Sequence, residues 1–164
     1  MKKSNLVRII GIDPGLASTG WGIIDYSDGE IRYVAHGSIK TQAIQPRCER
    51  LLYILQSIRN IIDQYRPVRA AIETLYFGRN VSSAIPVAEA RGVVSAVLAE
   101  RGLSIAEFTP IAIKQGVTGV SRADKKQIQE MIRIILGLQD IPKPDHAADA
   151  LGAAICAANN KVMQ

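Results

Sequence analysis

Apolar positions recur along this chain in two rhythms. Val7 to Asp13, VRIIGID, is a short β-branched run interrupted only by Arg8, which predicts a strand buried on both faces. Pro14 and Gly15 follow as the two central residues of a type II turn. Trp21 to Tyr26 reads as a second strand, Ser27, Asp28 and Gly29 as a hairpin turn, and Ile31 to Ile39 as a third strand. The rhythm then changes. In QPRCERLLYILQSIRNIIDQYR, Leu51, Leu55, Ile58, Ile62 and Tyr65 fall at helical spacing, with Arg50, Arg59 and Asp63 off that face. Pro67 closes this helix, and Val68 to Glu73 returns to strand.

A helix follows from about Ser82 to Glu100, with Pro86 in its first turns. Its small residues Ala84, Ala88, Gly92 and Ser95 form a spine that permits close packing within the fold or across a dimer. Leu103 to Phe108 is a fifth strand. Further on, Ser121 with Asp124 has the spacing of a capping box, opening a helix faced by Ile128, Ile132 and Ile135. The last segment, Pro142 to Met163, opens with turn chemistry at Pro142 and Pro144 and continues as an Ala-rich helix for which Asp145 is a candidate N-cap. Strands interleaved with helices predict an α/β fold, and 164 residues suit a single domain over 1–164.

The acids gain meaning from this pattern. Asp13 stands where the first strand ends, either as a turn-starting residue bonded to its own backbone or as a carboxylate at the mouth of a core strand. Glu73 repeats that grammar. A helix leading into a strand beside the first makes a right-handed parallel crossover, which would bring Asp13 and Glu73 together on one sheet edge. Paired carboxylates repel unless a positive charge intervenes, and a divalent metal is the usual solution. A different strand order would keep the two acids apart. Asp149 lies inside an apolar helix face where an acid needs a partner, and His146 is three residues before it on the same side.

Composition adds less. Lys+Arg 20 against Asp+Glu 15 gives a net charge of +5, which suits a polyanionic partner and many other soluble proteins. Lys114, Arg122, Lys125 and Lys126 gather before and within the start of one helix, as a solvated face or as a seat for an anion. Tyr76 and Phe77, followed by Gly78 and Arg79, lie in the loop after Glu73, as core aromatics or as a binding feature. Cys48 and Cys156 stand apart without a C-x-x-C, which predicts reduced thiols, no structural zinc and a cytoplasmic setting. Met1 to Asn5 lacks the apolar stretch of a signal peptide, and no run approaches membrane length. Gly11, Gly15 and Gly20 do not fit G-x-G-x-x-G, and Trp21 stands where a phosphate loop needs Lys.

Five segments in order resemble the RuvC family of Holliday-junction resolvases, within the ribonuclease H-like fold. They are IIGIDPGLASTGWGII, AIETLYF, AEARGVV, the pair IKQGVTG and ADKKQIQEM, and HAADALGAAICA. The resemblance implies a five-stranded mixed sheet, its first three strands antiparallel, flanked by helices. It also implies that Asp13, Glu73 and Asp149 are catalytic carboxylates, with His146 at a fourth position that is Asp in many members and His in some, and with Asp145, one residue earlier, as the other candidate for it. Lys114 and Lys125 match basic residues near the scissile phosphate, and Tyr76 or Phe77 matches the junction-contacting aromatic; Arg79, Arg122 and Lys126 would add DNA contacts. The implied chemistry is phosphodiester hydrolysis with two Mg2+ ions, Mn2+ substituting, to give 5′-phosphate and 3′-hydroxyl ends. The implied partners are a four-way DNA junction, a second copy of the chain in a homodimer and a branch-migration helicase. A YqgF-type nuclease with another nucleic-acid substrate and a non-catalytic junction-binding module are the alternatives.

Overall fold

The computed structural model describes residues 6–74 and 81–160. The expectations for Met1 to Asn5 and for Tyr76, Phe77 and Arg79 lie outside the described residues. The elements in order are β1 (Val7–Asp13), β2 (Ser18–Ser27), β3 (Glu30–Lys40), α1 (Arg47–Tyr65), β4 (Arg69–Glu73), α2 (Val81–Glu100), β5 (Ser104–Phe108), α3 (Pro110–Thr118), α4 (Lys125–Ile135) and α5 (Asp145–Asn159). The sheet runs β3-β2-β1-β4-β5. β1, β2 and β3 are successively antiparallel, whereas β4 lies parallel to β1 and β5 parallel to β4. The crossover through α1 therefore sets the carboxyl ends of β1 and β4 side by side, as the sequence predicts.

Strand alternation divides the core in two. Ile10, Ile12, Ile23 and Ile72 point to one face, where Ile54, Ile58 and Ile62 of α1 and Val94 and Leu98 of α2 cover them. Ile9, Ile24, Ala71 and Phe108 point to the other, under α5, with α3 and α4 packed beside it. Asp13 is four residues on from Ile9 and Glu73 two on from Ala71, so both acids share the α5 face. Residues 147, 148 and 150 to 158 of α5 are buried, so this helix is the centre of that layer.

α5 approaches the sheet at backbone distance. A Cβ on Gly11 would collide with the Ala150 carbonyl, one on Gly20 would collide with the His146 carbonyl, and one on Gly22 would lie 2.6 Å from the Leu151 side chain. These glycines clear a track across β1 and β2 for an alanine helix. The hairpin between β2 and β3 forms as expected, with Asp28 and Gly29 at φ 53° and 87°.

Several details differ from expectation. Gly15 is not in the positive-φ region that a type II turn requires. The Thr19 hydroxyl instead donates to the Gly15 carbonyl at 2.7 Å and ties the loop down. α3 was not expected; Thr109 caps it by accepting from the Ala112 N–H at 3.1 Å, Pro110 follows, and Gly119 ends it at φ 75°. The capping box of α4 is Asp124 with Gln127 rather than Ser121 with Asp124: the Asp124 carboxylate accepts from the Gln127 N–H at 2.8 Å, and the Gln127 side chain accepts from the Asp124 N–H at 3.0 Å. Asp145 does not cap α5, because Pro144 holds that position and no side chain bonds the cap. On α2 the buried face is Ala90, Val94, Val97 and Leu98, while Ala88 and Gly92 face outward with open space around Gly92.

Candidate active site

Three elements converge where β1 and β4 end. β1 delivers Asp13 to the α5 face, β4 delivers Glu73 beside it, and the first turns of α5 bring His146 and Asp149 over both. One helical turn separates His146 from Asp149, so a single helix supplies two groups to one spot. Its height above the sheet is set by the glycine track, since Gly20 lies directly under the His146 carbonyl.

The donors are close. His146 Nδ1 is 2.7 Å from Asp13 Oδ2, and ligand atoms of Asp13, His146 and Asp149 all lie within 4.8 Å of one another. Asp13 is the enclosed partner, with its side chain 17% exposed against 51% for His146. Its carboxyl is raised above the usual range by burial, which outweighs the hydrogen bond from His146 and the positive charge of Lys125. Asp149 is raised by burial and then by the charge of Asp13. Glu73 is pushed up to about 7, first by burial and then by the charges of Asp13 and Asp149, with Lys114 acting in the opposite sense.

Crowded carboxyl groups that resist ionisation, together with an imidazole, make a donor set of the kind a hard or borderline divalent cation takes. Bound there, a cation would lower the cost of ionising all three acids. The residues present therefore fit a metal site.

The expected cations divide. Lys125, the first residue of α4, sits with its ammonium 3.0 Å from Asp145 Oδ2 and 3.9 Å from Asp149 Oδ2, so it borders the cluster. Lys114 lines a narrow cleft with Glu73, Ile113, Ile128 and Asp149. Arg122 and Lys126 are exposed and form no ion pair among the described residues. Asp145 takes a part that its expected capping role did not suggest. It also accepts from Gln129 Nε2 at 3.2 Å and Lys143 Nζ at 3.3 Å, and its carboxyl is held down to about 2, chiefly by the hydrogen bond from Lys125. Gln129 and Lys143 were missed. Gln129 is four residues beyond Lys125, so helix spacing does place the two on one side of α4.

A family model described as "Crossover junction endodeoxyribonuclease RuvC" matches residues 9–157. The chain is 50% identical over 158 residues to the crossover junction endodeoxyribonuclease RuvC of Treponema denticola, covering 96% of this chain and 89% of that protein. It is 49% identical over 150 residues to that of Chloroflexus aurantiacus, covering 92% of each. Among solved structures it resembles Thermus thermophilus RuvC in complex with a Holliday junction substrate, at a TM-score of 0.87 and 31% identity over 93% of both chains.

Proposed function

Because this chain belongs to the RuvC family of crossover junction endodeoxyribonucleases, we propose that Asp13, Glu73, His146 and Asp149 form its cleavage site. The enzyme resolves four-way (Holliday) DNA junctions in recombination and repair. The observation that carries the site assignment is the meeting of Asp13, His146 and Asp149 within 4.8 Å. Glu73, its carboxyl raised by burial and then by the charges of Asp13 and Asp149, would complete the set.

On this reading the four residues would hold two divalent cations, Mg2+ with Mn2+ able to substitute. Such ions, when bound, supply Lewis-acid activation of a water and neutralise charge on the phosphate. The chain's own groups do the rest. Asp13, enclosed between the sheet and α5, is the fixed member against which the others are set. His146 Nδ1 lies 2.7 Å from Asp13 Oδ2, and in the tautomer that donates there Nε2 would face outward as the ring's free ligand atom. Lys114 and Lys125 bring positive charge to the rim, where a phosphate entering among carboxylates needs it. Arg122 and Lys126, together with Tyr76, Phe77 and Arg79, would extend the DNA contact beyond the reacting phosphate. Hydrolysis would leave 5′-phosphate and 3′-hydroxyl ends.

Cutting two opposed strands of one junction calls for two sites related by two-fold symmetry, so the working form would be a homodimer. The outward small residues Ala88 and Gly92 of α2 suit the close approach of a second helix. A branch-migration helicase would act on the same junction. No helix among the described residues is long and apolar enough to cross a membrane.

The test is cleavage of a four-way junction and of linear duplex in the presence and absence of Mg2+. Paired, symmetric nicks confined to the junction and dependent on the cation are expected. Equal cutting of linear duplex, or cutting in excess chelator, would count against the proposal.

A further inference from the structure

We infer that Asp145 is a positioning residue that holds the Lys125 ammonium beside Asp149, so that the ammonium meets a junction phosphate in one fixed place. The inference rests on the cleavage site proposed above and adds to it a residue outside the cluster of ligand atoms.

Asp145 opens α5 but does not cap it, and both of its oxygens are engaged. Oδ2 accepts from Lys125 at 3.0 Å, while Oδ1 accepts from Gln129 at 3.2 Å and from Lys143 at 3.3 Å. Gln129 is buried on α4 and fixes the carboxylate from the protein side. Lys125 is otherwise loosely held. Its side chain is 58% exposed, and a long lysine stem in that position would spread over many rotamers.

Asp149 cannot hold this lysine on its own. Its nearest oxygen is 3.9 Å away, beyond hydrogen-bond distance. A cation bound by Asp149 would also repel the ammonium, so the attraction that remains must come from a carboxylate that is not a ligand. Asp145 is that carboxylate. An ammonium has three N–H donors, so the bond to Asp145 leaves others for a phosphate oxygen.

A purely structural tie between α4 and α5 would use the same bonds, and the two roles separate under substitution. Asp145→Asn keeps an oxygen for Gln129 but removes the charge that holds Lys125. The parent, Asp145→Asn, Lys125→Ala and the double variant would be compared by three readouts. These are single-turnover junction cleavage in Mg2+, junction affinity across a salt series without divalent cation, and melting temperature. Asp145→Asn is expected to slow cleavage roughly tenfold through misplacement of Lys125. Its salt slope should match the parent, because the lysine charge is still present, its affinity should not fall, and its melting temperature should drop only by the small amount that exposed ion pairs contribute. Lys125→Ala should slow cleavage and flatten the salt slope by about one unit. The double variant should cleave no more slowly than Lys125→Ala.

Cleavage by Asp145→Asn at or above the parental rate overturns the inference. So does a further loss in the double variant, or a loss that follows a larger fall in melting temperature. A parent that cuts no junction would overturn the cleavage site and this inference together, whereas an active parent beside an equally active Asp145→Asn would overturn this inference alone.

Discussion

The two faces of the sheet are built to different tolerances. Under α1 and α2 the contact is isoleucine on isoleucine, with Ile10, Ile12, Ile23 and Ile72 of the strands meeting Ile54, Ile58 and Ile62. Side chains of that size keep helix and sheet well apart, and a lost methylene can be absorbed by small shifts. Under α5 there is almost nothing between the backbones. Gly11, Gly20 and Gly22 lie against the Ala150 carbonyl, the His146 carbonyl and Leu151. A helix set by backbone contact has little freedom to rise or rotate, and this is the helix that carries His146 and Asp149. The proposed chemistry lies on the face with least slack.

The largest effect should come from disturbing that track. Gly20→Ala must displace the first turn of α5 and is expected to cost about 3 kcal/mol or more, with cleavage lost even where the protein still folds. Thermal melting and single-turnover cleavage would measure the two losses. A variant with parental activity would show that α5 has more latitude than its packing implies.

Next is the charge stored at the site. Glu73 has a folded pKa of about 7, above its ordinary 4.5, so the native state binds the proton more tightly than the unfolded chain does. Its stabilising effect is complete below about pH 4.5 and is lost as pH rises through about 7. Without metal, Glu73→Gln should therefore be more stable than the parent above neutrality, by about 2 kcal/mol after allowance for solvent access. Near pH 4.5 the two should melt alike. Added Mg2+ should stabilise the parent more than the variant. Denaturation at three pH values, with chelator and with Mg2+, would detect this, and a parent that gains stability with rising pH would contradict it.

Smaller effects should appear on the opposite face. Ile58→Val removes one methylene from the fully buried side of α1 and should cost about 1 kcal/mol while leaving the cleavage rate at the parental value. A large fall in rate would mean that α1 also sets the site. The cysteines give the mildest contrast. Cys156 lies on α5 against Gly116, and burial pushes its thiol up to about 11, whereas Cys48 is exposed at the start of α1. At pH 8 a thiol reagent should label Cys48 and leave Cys156 unmodified in the folded protein, with mass spectrometry as the check.

Much of this arrangement was legible because it follows from period and punctuation. β1 and β4 are apolar runs that each close on an acid, α1 repeats at helical spacing, and the α1 crossover makes the two acids neighbours. What escaped depends on tertiary contact. Gly20 stands inside a strand, and nothing in the chain around it shows that a helix from the far end will rest on it. Pro14-Gly15 satisfied a local turn rule that the Thr19 hydroxyl overrides. α3 did carry a readable signal, Thr109-Pro110 before Ile113 and Val117 with Gly119 after, which the basic residues nearby obscured. Asp145 fits a cap by position, but its role depends on Lys125 and Gln129 from a different helix.

The central claim is that the acids at the ends of β1, β4 and α5 serve cleavage and contribute little to binding. It is tested most directly by measuring junction affinity and single-turnover cleavage of Asp13→Asn side by side in Mg2+. The account predicts affinity close to the parent and no detectable product. An Asp13→Asn protein that cuts the junction at near the parental rate would contradict it.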